Sequence, residues 1–154
     1  MPEIKNTQER PNHVPTFIRE QLIGIVTKKR YLDQKEELAC YAYDAFLVEA
    51  MPQAVIFPKT AKEISKILKI ASQHKIPVTG RGAGTSVCGA PIPVNHGIVL
   101  CFSKMDKILE VNTRDRYIIV QPGVINADVQ KALAPLWFFL SPGSRIHGHL
   151  HHWG

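Results

Sequence analysis

The run Thr79-Gly80-Arg81-Gly82-Ala83-Gly84-Thr85-Ser86 has the residue types needed to hold an anion with the backbone itself. Gly80, Gly82 and Gly84 are free to take φ > 0, so successive N–H groups can converge on one point, and the missing Cβ atoms let a diphosphate approach the chain. The Arg81 guanidinium and the Thr85 and Ser86 hydroxyls would add side-chain donors around such a nest. Two familiar phosphate motifs are excluded. A nucleoside-triphosphatase loop needs lysine directly before its Ser or Thr, and Gly84 stands before Thr85. The dinucleotide fingerprint G-x-G-x-x-G, started at Gly82, requires glycine where Val87 stands. The plain alternative is a tight turn with no ligand, so the elements around the run have to decide.

Those elements read as strand, helix, strand, nest. Ala54-Val55-Ile56-Phe57 is a short apolar run closed by Pro58 and predicts a buried strand. A helix over residues 60–74 follows, with Thr60 and Glu63 as a capping box and Ile64, Ile67, Leu68 and Ala71 on one buried face. Ile76-Pro77-Val78 leads into the glycines. Gly97-Ile98-Val99-Leu100-Cys101 and Tyr117-Ile118-Ile119-Val120 predict further strands, with a shorter one at Ile108 to Asn112. Gln121-Pro122-Gly123 ends the last strand, and Asn126 is expected to cap a helix carrying Val129, Ala132 and Leu133, stopped by Pro135. Upstream, Thr16 is expected to cap a helix with Ile18, Leu22, Ile25 and Val26 on one face, whose C-terminus carries Lys28-Lys29-Arg30. Asp33 to Ala39 predicts a second short helix, Tyr41 and Tyr43 are expected to be buried, and the first dozen residues form a loose arm.

In this order the chain resembles the flavin-linked oxidases and dehydrogenases of the vanillyl-alcohol-oxidase type, above all the flavoprotein subunit of glycolate oxidase and D-lactate dehydrogenase. Three stretches carry the resemblance: Tyr43-Asp44-Ala45 with Pro52 to Pro58, then Pro77 to Gly89, then Val120 to Val124. The resemblance implies an α+β fold, the first subdomain of a PCMH-type FAD-binding domain, with a small mixed or parallel sheet and flanking helices. It also implies that Thr79 to Ser86 wraps the FAD pyrophosphate, with Pro122 and Gly123 against the cofactor. Relatives that attach flavin covalently through this loop carry histidine just after the glycines. Thr85 and Ser86 stand there instead, which implies noncovalent FAD, and His96 is read as an ordinary loop histidine. In the intact family an iron–sulfur subunit accepts the electrons.

The resemblance stops at Leu136. Back-translated one nucleotide later, residues 137–154 permit a Pro-Pro-Asp-Pro segment followed by Thr-Ile-Gly-Gly, similar to the family's next block. The expected organisation is therefore an N-terminal arm and helical segment over 1–49, a partial FAD-binding domain over 50–136 and an out-of-frame tail over 137–154. On this reading His147, His149, His151 and His152 are accidental products of shifted codons rather than a metal site. Otherwise they are an adventitious chelator. A chain of 154 residues would then lack the substrate domain that carries the family's active-site histidines and carboxylate-binding arginines. No residue is nominated as catalytic, and surface meant for absent strands is expected to be apolar and aggregation-prone.

Composition narrows the classes. Lys+Arg 19 against Asp+Glu 13 gives a net charge of +6, but the cations are dispersed and not interleaved with aromatics, which argues against nucleic-acid binding. No stretch is long enough to span a bilayer and none resembles a signal peptide, so a cytoplasmic protein is expected, possible membrane association of the intact enzyme being peripheral. Cys40, Cys88 and Cys101 form no CxxC pair and are expected to be reduced, with Cys88 in small-residue packing. The competing function is a non-catalytic module that binds a nucleotide or a partner subunit.

Overall fold

The computed structural model describes residues 13–44, 48–93 and 95–140. Ala45, the expected arm before His13 and the histidine-rich tail from Ser141 lie outside the described residues. The elements run α1 (Thr16–Val26), β1 (Tyr31–Leu32), α2 (Lys35–Ala39), β2 (Ala54–Ile56), α3 (Ala61–Gln73), β3 (Val78–Arg81), β4 (Ile98–Cys101), β5 (Ile108–Asn112), β6 (Tyr117–Val120) and α4 (Asn126–Leu133).

Four strands make a mixed sheet in the order β1-β2-β4-β3. β2 and β3 both run parallel to the central β4, and β1 closes one edge antiparallel to β2. Parallel neighbours require crossover connections. Helix α3 supplies one between β2 and β3. The second, from β3 back to its neighbour β4, is the long loop 82–97, which begins with the glycine run.

Alternation along the strands divides the core. Ala54, Ile56, Ile98 and Leu100 face α1 and α3, meeting Ile18, Leu22, Val26, Ile67 and Ala71. Val55, Val99 and Cys101 face the other way, onto Leu38, Tyr41 and Phe57. Fully buried side chains such as Leu22, Ile56 and Ile67 contribute about 1.5–3 kcal/mol each. A separate antiparallel pair, β5 and β6, packs Ile108, Val111, Ile118 and Val120 against a buried cluster of Val124, which precedes α4, and Val129 and Leu133 within it. Its other face leaves Leu109, Tyr117 and Ile119 exposed.

Several local expectations are corrected. The Thr60 hydroxyl does accept the Glu63 N–H (3.2 Å), but the returning carboxylate accepts from Lys59 N–H (2.6 Å) and is held by Arg30 at 2.8 and 2.9 Å. Arg30 therefore ties the turn Lys28–Arg30 to α3 instead of ending α1, whose last turn has no basic residue. Leu68 is 44% exposed because α3 buries the narrower Ile67–Ala71 line. Thr16 and Asn126 are first helical residues, preceded by Pro15 and Ile125 at the caps, and neither side chain caps. Tyr43 is exposed and Tyr41 half-buried. Cys88 is exposed rather than packed.

Candidate functional site

Thr79, Gly80 and Arg81 belong to β3, in register with Val99, Leu100 and Cys101 of β4. The loop proper opens at Gly82. Both strands end together, at the carboxyl edge where open α/β sheets place their ligands, and a groove of about 270 Å³ lies there. Gly80, Arg81, Gly82, Gly84, Thr85, Ser86 and Pro122 line it. Thr79, Ala83 and Gly123 do not. Ala90, Pro91 and Phe102 complete the wall; their sequence signal was only their position, in the middle of the loop and directly after β4.

Of the three glycines in the run, Gly84 alone takes positive φ, at +76°. A Cβ there would lie 2.1 Å from Arg81 Nη2, so the guanidinium packs beneath the Gly84 backbone. Gly80 stays extended within the strand, where a Cβ would meet the Phe102 ring at 3.2 Å. Gly123 is close-packed as well: its N–H donates to the Met105 carbonyl (2.8 Å), and a Cβ would come within 2.0 Å of the Phe102 carbonyl oxygen. That contact seats the Gln121-Pro122-Gly123 turn on the segment after β4 and brings Pro122 to the groove.

Arg81 dominates the electrostatics. It is 6% exposed, its Nη1 has no hydrogen-bond partner, and it makes no ion pair among the described residues. Its Cζ lies 5.6 Å from the Tyr41 ring centroid. A buried cation with no counter-charge is costly, and an anion in the groove would relieve that cost. Further along, Ser86 Oγ accepts the Cys88 N–H (3.3 Å) and lies 3.1 Å from its Sγ, and the Ser86 hydrogen bond holds the thiol below its ordinary pKa. Asp44 Oδ2 accepts the Gly89 N–H (3.2 Å), fastening the loop's middle to the segment after α2. Among the described residues no group of His, Cys, Asp and Glu is arranged to hold a metal, and no helix is long and apolar enough to cross a membrane.

The residues present fit a flavin dinucleotide: a glycine-lined wall for close approach, hydroxyls at Thr85 and Ser86, and an uncompensated buried cation for the diphosphate. Comparison with known proteins agrees. The FAD binding domain family matches residues 52–150. Glycolate oxidase subunit GlcD of Bacillus subtilis (strain 168) is 39% identical over 126 residues, covering 81% of this chain and 27% of that protein. D-2-hydroxyglutarate dehydrogenase of Stutzerimonas stutzeri (strain A1501) is 31% identical over 113 residues, covering 73% of this chain and 24% of that one. The chain thus spans about a quarter of the length of these relatives. In fold it is similar to p-cresol methylhydroxylase with substrate bound (TM-score 0.71, 22% identity, 79% of this chain and 24% of that chain). It is similar also to alkyldihydroxyacetonephosphate synthase (TM-score 0.73, 19% identity, 88% of this chain and 27% of that chain). With its mixed sheet, flanking helices and glycine-lined groove, this chain belongs to the FAD-binding domain family of the FAD-linked oxidases and dehydrogenases.

Proposed function

We propose that this chain is the amino-terminal flavin-binding part of an FAD-dependent oxidoreductase acting on 2-hydroxy acids, and that the groove at the ends of β3 and β4 takes the FAD diphosphate. The observation that carries this reading is the buried Arg81 beneath Gly84, which makes no ion pair among the described residues. The 2-hydroxy-acid class rests on the likeness to glycolate oxidase subunit GlcD and D-2-hydroxyglutarate dehydrogenase. When bound, FAD supplies an acceptor for hydride from the substrate α-carbon.

The chain's own residues bind and orient. Backbone N–H groups between Gly82 and Ser86 and the Thr85 and Ser86 hydroxyls would hold the diphosphate, and Arg81 would add positive potential from below. Phe102 and Pro122 close the sides against water. Thr85 and Ser86 offer no imidazole for a covalent bond, which supports noncovalent FAD. Beyond this chain the reading includes an iron–sulfur electron acceptor, a cytoplasmic setting and a substrate domain encoded downstream in a shifted frame. Resequencing the locus tests the last point, and downstream DNA encoding nothing like the family refutes it.

Flavin binding is tested by titrating the purified chain with FAD, riboflavin and ADP. FAD should bind far more tightly than riboflavin, be released intact on denaturation, and lose affinity about tenfold or more in Arg81→Gln, the scale of a charge-assisted contact. ADP binding as tightly as FAD would favour the nucleotide-binding module. Failure to bind FAD would overturn the proposal.

A further inference from the structure

The family match begins at residue 52, yet the glycine loop is held at two points by residues that precede it. Tyr41 lies under the Arg81 guanidinium, with Cζ 5.6 Å from the ring centroid. Asp44 accepts the Gly89 N–H at 3.2 Å. Both belong to the segment that follows α2, which is itself anchored: Ala50 N–H donates to the Ala42 carbonyl (2.9 Å), and the Tyr41 ring meets Phe57 edge-on at 5.9 Å.

We propose that Tyr41 and Asp44 are positioning residues of the flavin site, Tyr41 holding Arg81 beneath Gly84 and Asp44 fixing the middle of the loop at Gly89. The inference rests on the flavin reading above. Arg81 has few ways to be held. Its Nη1 has no hydrogen-bond partner and no carboxylate pairs with it among the described residues. The Tyr41 π-face is therefore the electrostatic contact that holds it in place. A guanidinium released from that face would be free to leave the space under Gly84, and the groove would lose positive potential where the diphosphate is to lie. Asp44 acts differently, through a backbone donor, so it sets the shape of the loop rather than its charge. Tyr41 does not itself line the groove but contacts Arg81, which does; it is therefore a positioning residue and not a ligand.

The test uses the purified chain and four variants: Tyr41→Met, which keeps bulk without a ring, Tyr41→Phe, Arg81→Gln, and the Tyr41→Met/Arg81→Gln double. FAD and riboflavin affinities are measured for each, with thermal melting to confirm folding. Tyr41→Met should weaken FAD about tenfold, the scale of a desolvated cation–π contact, and leave riboflavin, which has no phosphate, unchanged. Tyr41→Phe should restore wild-type affinity. In the Arg81→Gln background Tyr41→Met should cost nothing further, since the charge it holds is gone. An equal loss in both backgrounds, or an equal loss for riboflavin, would make Tyr41 an ordinary packing residue and overturn the inference while the flavin reading stands. A wild-type chain that binds no flavin would overturn the flavin reading and this inference with it. Should Tyr41→Met not fold, Asp44→Ala, which removes the acceptor, carries the test: backbone exchange at Gly89 should quicken in the variant, and unchanged exchange refutes the fastening.

Discussion

Gly84→Ala puts the site's geometry under direct strain. The backbone at Gly84 has φ +76°, where an L side chain costs about 1–2 kcal/mol. The added Cβ would stand 2.1 Å from Arg81 Nη2 and 2.5 Å from its Cζ, so the guanidinium must move. Because Arg81 is 6% exposed and stacked on Tyr41, moving it forfeits a contact of about 0.5–2 kcal/mol. The FAD-bound state should therefore lose about 1.5–4 kcal/mol in all, summing the two contributions. Urea denaturation without FAD, followed by FAD titration, divides that loss between fold and binding, and the total fixes it whichever way it divides. Gly24→Ala is the internal control. Gly24 lies inside α1 with nothing within 4 Å of the new methyl, and the substitution should stabilise by about 0.5–1 kcal/mol. If Gly84→Ala keeps the bound state within about 0.5 kcal/mol of wild type, the limit of an ordinary surface change, Arg81 does not brace the loop and the geometric argument fails.

Two further outcomes follow from a buried hydroxyl and a partly buried carboxylate. The Tyr31 hydroxyl is buried with no hydrogen-bond partner among the described residues, and burial pushes its pKa up to about 12, so Tyr31→Phe should be neutral or stabilise by about 1 kcal/mol in urea denaturation; a clear loss would mean that the hydroxyl is satisfied in solution. The Arg30 hydrogen bonds hold the Glu63 carboxyl below its ordinary value of 4.5, so ionised glutamate favours the fold, fully so above that value and progressively less as pH falls through the depressed one. Glu63→Gln should cost about 1–2 kcal/mol at neutral pH, between the exposed and buried ion-pair limits, and the gap to wild type should close in acid; a gap independent of pH would show that Glu63 acts through packing alone.

The parts of the fold legible in the sequence are those fixed by local chemistry. Thr60, the apolar line through Ile67 and Ala71, and the runs at residues 54–57, 98–101 and 117–120 each declare an element without reference to the rest of the chain. β1 escaped because two residues cannot show a period, and Tyr31 and Leu32 become a strand only by pairing with Ile56 and Val55. The Lys28-Lys29-Arg30 run looked like a helix end because charge near a C-terminus is the local reading, whereas the partner that captures Arg30 lies 33 residues away at Glu63. Cap assignments at Thr16 and Asn126 failed by one residue, the distance over which a helix start depends on tertiary packing.

The site divides along the same line. Glycine spacing was sufficient to place the loop, and it named most of the residues that line the groove. It did not distinguish the glycines, because Gly80 is needed for the Phe102 ring and Gly84 for a backbone turn over Arg81. Nor did it show what makes the groove chemically specific. An arginine inside a glycine run reads as one more donor beside the anion, pointing into the nest. Folding instead buries that arginine under the chain, against a tyrosine that precedes it by 40 residues, and leaves it without a counter-ion among the described residues. At the groove wall, that buried charge offers positive potential to any phosphate that enters. Replacing Arg81 should therefore weaken every phosphate-bearing flavin while sparing riboflavin, and equal losses for both would return Arg81 to a packing role.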